Sequence, residues 1–240
     1  MGINACANAD NVEYNESAEV RMYGITDLFD LSHTQAKEYL AQYVYPWQAL
    51  PTLKEFIIAL GERLEGTEYV RLRDGVWAHK SARIAPTAQI NAPCVIGAET
   101  EIRHGALIRG SALVGEGCVV GNSTEIKNAI LFDGAQAPHY NYVGDSVLGY
   151  KAHMGAGAIT SNVKAEKSCV YVQGGDKSIA TGLKKVGAFL GDFAEVGCNS
   201  VLNPGAVIGK NSNVYPLSCV RGVVPPDSIY KKQNVIVDKR

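Results

Sequence analysis

Three groups of residues in this sequence could do chemistry together. His139 stands in the run Gln136-Ala-Pro-His139-Tyr-Asn-Tyr142-Val-Gly-Asp145, and an imidazole is the side chain suited to taking a proton near neutral pH. Arg103 and Lys127 are cations twenty-four residues apart, and fixed cations hold phosphate. The segment Met154-Gly155-Ala156-Gly157-Ala158 is a Gly-rich turn, whose backbone N–H groups could face a developing oxyanion. A base for an amine proton, a clamp for a phosphate and donors for an oxyanion together meet the needs of moving an acyl group from a thioester to an amine. Each group also has a plainer reading: an exposed histidine, solvated charges and ordinary corner glycines. Glu125 could orient a cation or merely solvate the surface.

These residues lie on a repeat. Ile84, Ile90, Ile96, Ile102, Ile108, Val114, Val120 and Ile126 follow one another every six residues, and the spacing resumes at Leu190, Val196, Leu202, Ile208, Val214 and Val220. Four places after each aliphatic residue comes a small one, such as Ala88, Cys94, Thr100, Ala106, Ala112 and Cys118. Alternate residues of an extended segment point the same way, so large and small side chains both face inward. Gly often follows the aliphatic residue, as suits a tight corner. A fixed six-residue period with glycine predicts a parallel β-helix, three sides and about eighteen residues to a coil. Arg103 and Lys127, slightly over one coil apart, could then lie on neighbouring rungs.

The rest of the chain bounds the reading. At 240 residues and 46% hydrophobic, it can hold one substantial domain and a smaller appendage. Lys plus Arg (23) nearly cancel Asp plus Glu (24), so no broad basic field recruits nucleic acid or an anionic membrane. No apolar run reaches membrane-spanning length and the start is polar, which makes the cytoplasm the expected location. The six cysteines show no zinc-type spacing and read as core thiols. The leader to about Arg21 lacks periodicity. One helix is expected to open at Ser32, with Gln35 closing a capping box, and another at Thr52, with Glu55 closing it. Tyr69 to Val76 reads as a strand entering the first coil. The expected organisation is residues 1–75 as leader and helical head, 76–225 as β-helix and 226–240 as tail. The repeat breaks at Phe132 to Tyr142 and at about Ser161 to Gly187, and breaks in a rigid scaffold are where function concentrates.

The His139 run and the following Met154-Gly-Ala-Gly157-Ala-Ile-Thr-Ser-Asn162 closely resemble the acetyltransferase domain of the bifunctional glucosamine-1-phosphate acetyltransferase/N-acetylglucosamine-1-phosphate uridyltransferase, a hexapeptide-repeat acyltransferase. The resemblance spans about Ile84 to Val224 and implies a mainly β fold, a left-handed parallel β-helix. It also implies acetyl transfer from acetyl-CoA, a cosubstrate with no tightly bound cofactor beside it, to an amino sugar phosphate or nucleotide sugar. By the same resemblance His139 is the general base, and Arg103, Lys127, Tyr142, Asn162 and Lys185 contact the sugar phosphate. Gly155, Ala156, Gly157, Ala158 and Cys198 meet acetyl-CoA, and the protein is a homotrimer with sites between subunits. Two positions depart from the pattern: Val163 replaces an aromatic, and His153 replaces an Asn that reaches the sugar. The nucleotidyltransferase half of that family is absent from the sequence, so another protein is expected to activate the product.

Two other readings use the same scaffold. A zinc hydrolyase of the carbonic-anhydrase type would bring three histidines together between subunits; His104 and His139 are candidates, but Tyr142 to Asp145 stand where the third is expected. A non-catalytic trimeric spacer would need none of these side chains.

Overall fold

A computed structural model describes residues 24–174, 177–232 and 235–238. Residues 76–232 wind into the parallel β-helix expected from the period, left-handed as the resemblance implied, with about eight turns. The eighteen-residue coil is realised directly: Cys94 pairs with Ala112, Ile84 with Ile102 and Ile90 with Ile108.

The prism has three sides. Side A carries Val76–His79, Cys94–Ile96, Ala112–Val114, 129–131, 146–148, Ala188–Leu190, Ala206–Ile208 and Val223–Val224. Side B carries Arg83–Ile84, Glu101–Ile102, Val119–Asn122, Gln136–His139, His153–Met154, Glu195–Val196, Asn213–Val214 and Ser228–Lys232. Side C carries Gln89–Ile90, Leu107–Ile108, 125–126, 142–143, Ile159–Thr160, Val201–Leu202 and Cys219–Val220. Ile96, Ile108, Val120, Ile126, Leu190 and Ile208 are fully buried inside, interleaved with Ala112, Cys118 and Ala206. Each of the Ile, Val and Leu side chains contributes about 1.5–3 kcal/mol by burial.

The first expected break is not a loop. Strands Glu125–Leu131 and Tyr142–Leu148 run straight from side C to side A, pairing Ile126 with Val143 and Leu131 with Leu148. Their corners hold five steps between inward aliphatics instead of six, with Asn128 (φ 48°) and Asp145 (φ 50°) taking the left-handed turn. The shortening shifts every later inward residue by one, which breaks the sequence period while the coil continues. Gln136–His139 is therefore a regular strand paired with the Val119–Asn122 rung, and Ala137 is fully buried. The second break is a true insertion. The chain leaves at Thr160, forms a hairpin of Tyr171–Gly174 and Lys177–Ala180, and returns at Ala188.

Side A is the covered side. Its outward residues Trp77, Val95, Leu113, Ile130, Val147, Phe189 and Val207 form one buried cluster with Leu53, Ile57 and Leu60 of the head and with Val170 and Val172 of the insertion. The helix Leu53–Leu64 opens after Thr52, as expected, but the capping box with Glu55 does not form: the Thr52 hydroxyl bonds those of Tyr39 and Tyr43 instead. The earlier helix does not form as one piece. Asp30 accepts from Ser32 N–H and starts a 3-10 turn, Leu31–His33, and extended Thr34 (φ −158°) separates it from the short helix Lys37–Leu40. Gln35 donates to the Tyr69 hydroxyl instead of closing a box. Asp192, 2% exposed, joins head to helix by accepting from Asp30 N–H at 2.7 Å and Tyr150 N–H at 2.9 Å, beside Lys210 at 3.3 Å. Both ends of the prism carry a reversed strand: Tyr69–Arg73 is antiparallel to Val76–His79, and Val235–Asp238 to Ser228–Lys232. No helix among the described residues is long and apolar enough to cross a membrane. The expected leader, to about Arg21, and Cys6 lie outside the described residues.

Candidate active site

Two corners of the prism hold the candidate residues. Where side B turns into side C, His104, Asn122, His139, Ala156 and Cys198 take equivalent places on successive rungs. His139 is exposed and ends the strand Gln136–His139, a correction to its expected place in a loop. Its carbonyl accepts from Gly157 N–H at 3.0 Å, so the imidazole's rung rests directly on the Gly-rich turn. Gly121, one rung before, must lack a side chain, because a Cβ there would lie 1.5 Å from the Pro138 oxygen. Cys198 follows on the next rung, its amide nitrogen 2.7 Å from where a Gly155 Cβ would be. His139, Gly155, Ala156, Gly157, Ala158 and Cys198 are thus brought together.

Asn141 fastens this corner. Its side chain is 3% exposed, accepts from His139 N–H at 3.0 Å, and donates to the carbonyls of Gly155 at 2.8 Å and Ala158 at 3.0 Å. The sequence signal was available: Asn141 occupies the small inward position held by Thr124 and Ala158 on adjacent rungs. Asn141→Ala takes the side-chain donor from the Ala158 carbonyl, one of two donors from the Gly155 carbonyl and the acceptor from His139 N–H, so an unfolding penalty of about 1–3 kcal/mol is expected. Urea unfolding followed by circular dichroism measures it, and an unmoved midpoint would show that the amide holds nothing. In the Gly-rich turn, the N–H groups of Gly155, Gly157 and Ala158 bond to Val196, His139 and Gly155. Among the described residues only the Ala156 N–H of this turn has no acceptor.

The second corner, from side C to side A, holds the cations, and here one expectation is corrected. Lys127 follows Ile126, which pairs with Ile108, so Arg109 and not Arg103 lies one rung below it. Arg103 follows Ile102 on side B and turns back to Glu101, with Nη2 to carboxylate at 2.8 Å. The twenty-four-residue spacing crosses one coil plus one full side, which separates the two cations. Arg109 bonds Glu125 at 2.7 Å, and that bond raises the guanidinium above its ordinary pKa. Lys127 lies 3.3 Å from Asp145, whose side chain is 5% exposed. Asn128 and Asn162 also donate to Asp145, at 2.8 Å and 2.5 Å. Tyr142 points out from side C and curls over Gly144, where a Cβ would meet its hydroxyl at 2.4 Å. Its hydroxyl accepts from Asn162 at 3.0 Å. Burial foremost, then the charges of Asp145 and Glu125, push the Tyr142 phenol up, so it keeps its proton. Lys185 is exposed, and its backbone bridges Val163 beside Asn162.

The remaining expectations fall elsewhere. His153 lies on side B against Glu195, 2.9 Å away, and not on the corner of Asn162. His104 and His139 stand two rungs apart with Asn122 between them. Among the described residues no three His, Cys, Asp or Glu side chains gather as a metal site. Cys94 and Cys118 are core thiols, pushed up to about 12 by burial. Cys198 and Cys219 are exposed, and Cys169 is disulfide-bonded, so the reading of every cysteine as a core thiol is corrected.

Residues 90–180 match a family model described as the GMPPB C-terminal domain. A bifunctional sugar-1-phosphate nucleotidylyltransferase/acetyltransferase of Sulfurisphaera tokodaii is 34% identical over 101 residues, 42% of this chain and 25% of that protein. The bifunctional protein GlmU of Methanococcus vannielii is 28% identical over 160 residues, 66% of this chain and 34% of that protein. This chain thus spans a quarter to a third of the length of these relatives. The solved acetyltransferase domain of PglB from Neisseria gonorrhoeae, in complex with acetyl coenzyme A, aligns at TM-score 0.32 and 14% identity over 67% of this chain and 56% of that one; at that score nothing about function follows. The repeat region of this chain is thus similar in sequence to part of these bifunctional proteins.

Proposed function

We propose that this chain transfers an acetyl group from acetyl-CoA to the amino group of a sugar phosphate or nucleotide sugar. The observation that carries the reading is the stacking of His139 on the Gly155–Ala158 turn at one end of side C, with cations and Tyr142 at the other. The acceptor would lie along side C, phosphate toward Arg109 and Lys127, amine toward His139. His139 takes the proton of the attacking amine, and the one uncommitted N–H of the turn, on Ala156, donates to the tetrahedral oxyanion. Acetyl-CoA would enter past Gly155, Gly157, Ala158 and Cys198. Tyr142 donates to the phosphate, Asn162 meets the sugar, and Lys185 closes the substrate side.

Side A is covered by the head and the insertion, which leaves sides B and C for neighbours. A homotrimer formed through them would enclose side C between subunits. Thiol release from acetyl-CoA, assayed with glucosamine 1-phosphate and a panel of amino sugar phosphates and nucleotide sugars, tests the reading. Acceptor-dependent release from a protein that sediments as a trimer is the expected result. Release with no acceptor in the panel, or a monomer at assay concentration, would reject it. Failure to bind acetyl-CoA at all would favour the spacer reading.

A further inference from the structure

At the corner from side C to side A, the direction of each hydrogen bond follows from one carboxylate. Asp145 is 4% exposed, in left-handed backbone at φ 50°, a conformation that costs a non-glycine residue about 1 kcal/mol or more. Lys127 Nζ, Asn128 Nδ2 and Asn162 Nδ2 converge on it. All three are donors, an ammonium and two amide NH2 groups, and the carboxylate oxygens they meet accept. Both Asn side chains are therefore fixed with their NH2 toward Asp145, a choice that a neutral partner would leave open.

The consequence travels outward through Asn162. One of its two amide protons goes to Asp145 and the other to the Tyr142 hydroxyl. Among the described residues no donor meets Asn162 Oδ1, which leaves that oxygen to a ligand. The Tyr142 hydroxyl, already accepting from Asn162, has its own proton left to give.

We infer that Asp145 is a positioning residue that sets the polarity of the acceptor site, making Asn162 an acceptor only and Tyr142 a donor. The group that Asn162 meets is then a hydrogen-bond donor on the acceptor molecule, a sugar hydroxyl or the amine. The group that Tyr142 meets is a hydrogen-bond acceptor such as a phosphate oxygen. This assignment rests on the reading that side C holds the acceptor; the fixed orientation of Asn162 does not.

The test has two readouts on the full chain. In a 15N–1H spectrum, with the Asn162 side-chain amide assigned by its loss in Asn162→Asp, both wild-type protons should be shifted from free asparagine and protected from solvent exchange. In the isosteric Asp145→Asn they should move toward free values. An Asn162 amide that exchanges freely in the wild type overturns the inference whatever the variant does, and so does one that Asp145→Asn, still folded by circular dichroism, leaves unchanged. In the thiol-release assay with glucosamine 1-phosphate, Asp145→Asn should raise the acceptor KM about tenfold, the worth of about one hydrogen bond to a charged network, and leave the acetyl-CoA KM unchanged. Equal rises in both KM values, or none, would overturn the role in acceptor polarity. A protected, Asp145-dependent amide in a protein that turns over no acceptor would instead sink the functional reading and leave the polarity intact.

Discussion

His139→Ala is expected to lower kcat for acetyl transfer by about 10²- to 10⁴-fold, the usual worth of a positioned general base, with acetyl-CoA affinity close to wild type. The imidazole is exposed at the end of its strand, so removing it opens no cavity. Its backbone bonds to Asn141 and Gly157 do not involve the side chain. The loss should therefore appear in turnover and not in folding or cosubstrate binding. Thiol release at saturating acetyl-CoA, with calorimetric binding of acetyl-CoA to the same variant, separates these effects. Turnover within a fewfold of wild type would move the base elsewhere. Loss of acetyl-CoA binding in parallel would make His139 a contact for the cosubstrate.

Arg109→Ala should lower kcat/KM for a phosphorylated acceptor by about 10- to 150-fold, the range that follows from about 1.5–3 kcal/mol for a hydrogen bond to a charged group. Arg103→Ala should change it by no more than about twofold, as for an exposed charge paired to its own neighbour. The contrast comes from register: Arg109 lies one rung below Lys127, while Arg103 stands at the other corner tied to Glu101. Steady-state kinetics of both variants on glucosamine 1-phosphate decides between them. A large loss at Arg103 with none at Arg109 would show that the phosphate clamp is at the wrong corner. Glu125→Gln, which frees Arg109 from its carboxylate, gives a control expected to retain acceptor affinity.

The prism was legible in the sequence because its inward positions tolerate only one large and one small residue per side, which writes a period of six into the chain. His139, the proposed base, stood out for a different reason, the run from Gln136 to Asp145. What the period concealed is the pair of shortened corners. Left-handed turns at Asn128 and Asp145 save one residue each without glycine, so a count in sixes reads a regular strand as a break. The same counting paired Arg103 with Lys127, because an interval of twenty-four preserves the phase of six but not the side of the prism. An interval of eighteen would have selected Arg109. Covering of side A was written in Trp77, Val95, Leu113 and Ile130, apolar residues one place before the inward aliphatic. Alternation identifies such residues as outward but does not say that an upstream helical head will bury them.

The reversed strands at the two ends of the prism bear on what this protein avoids becoming. A parallel β-helix is a stack whose top and bottom rungs each present a row of unpaired backbone groups, and the next copy of the same rung is the best match for them. End-to-end growth into a fibre is the natural hazard of the architecture. Tyr69–Arg73 and Val235–Asp238 each lie antiparallel over a terminal rung, and an incoming parallel rung finds the place already taken by a strand running the wrong way. Each segment shields one side of its terminal rung, so trimming either one should expose an unpaired edge and favour end-to-end association, which sedimentation of the trimmed chain would read.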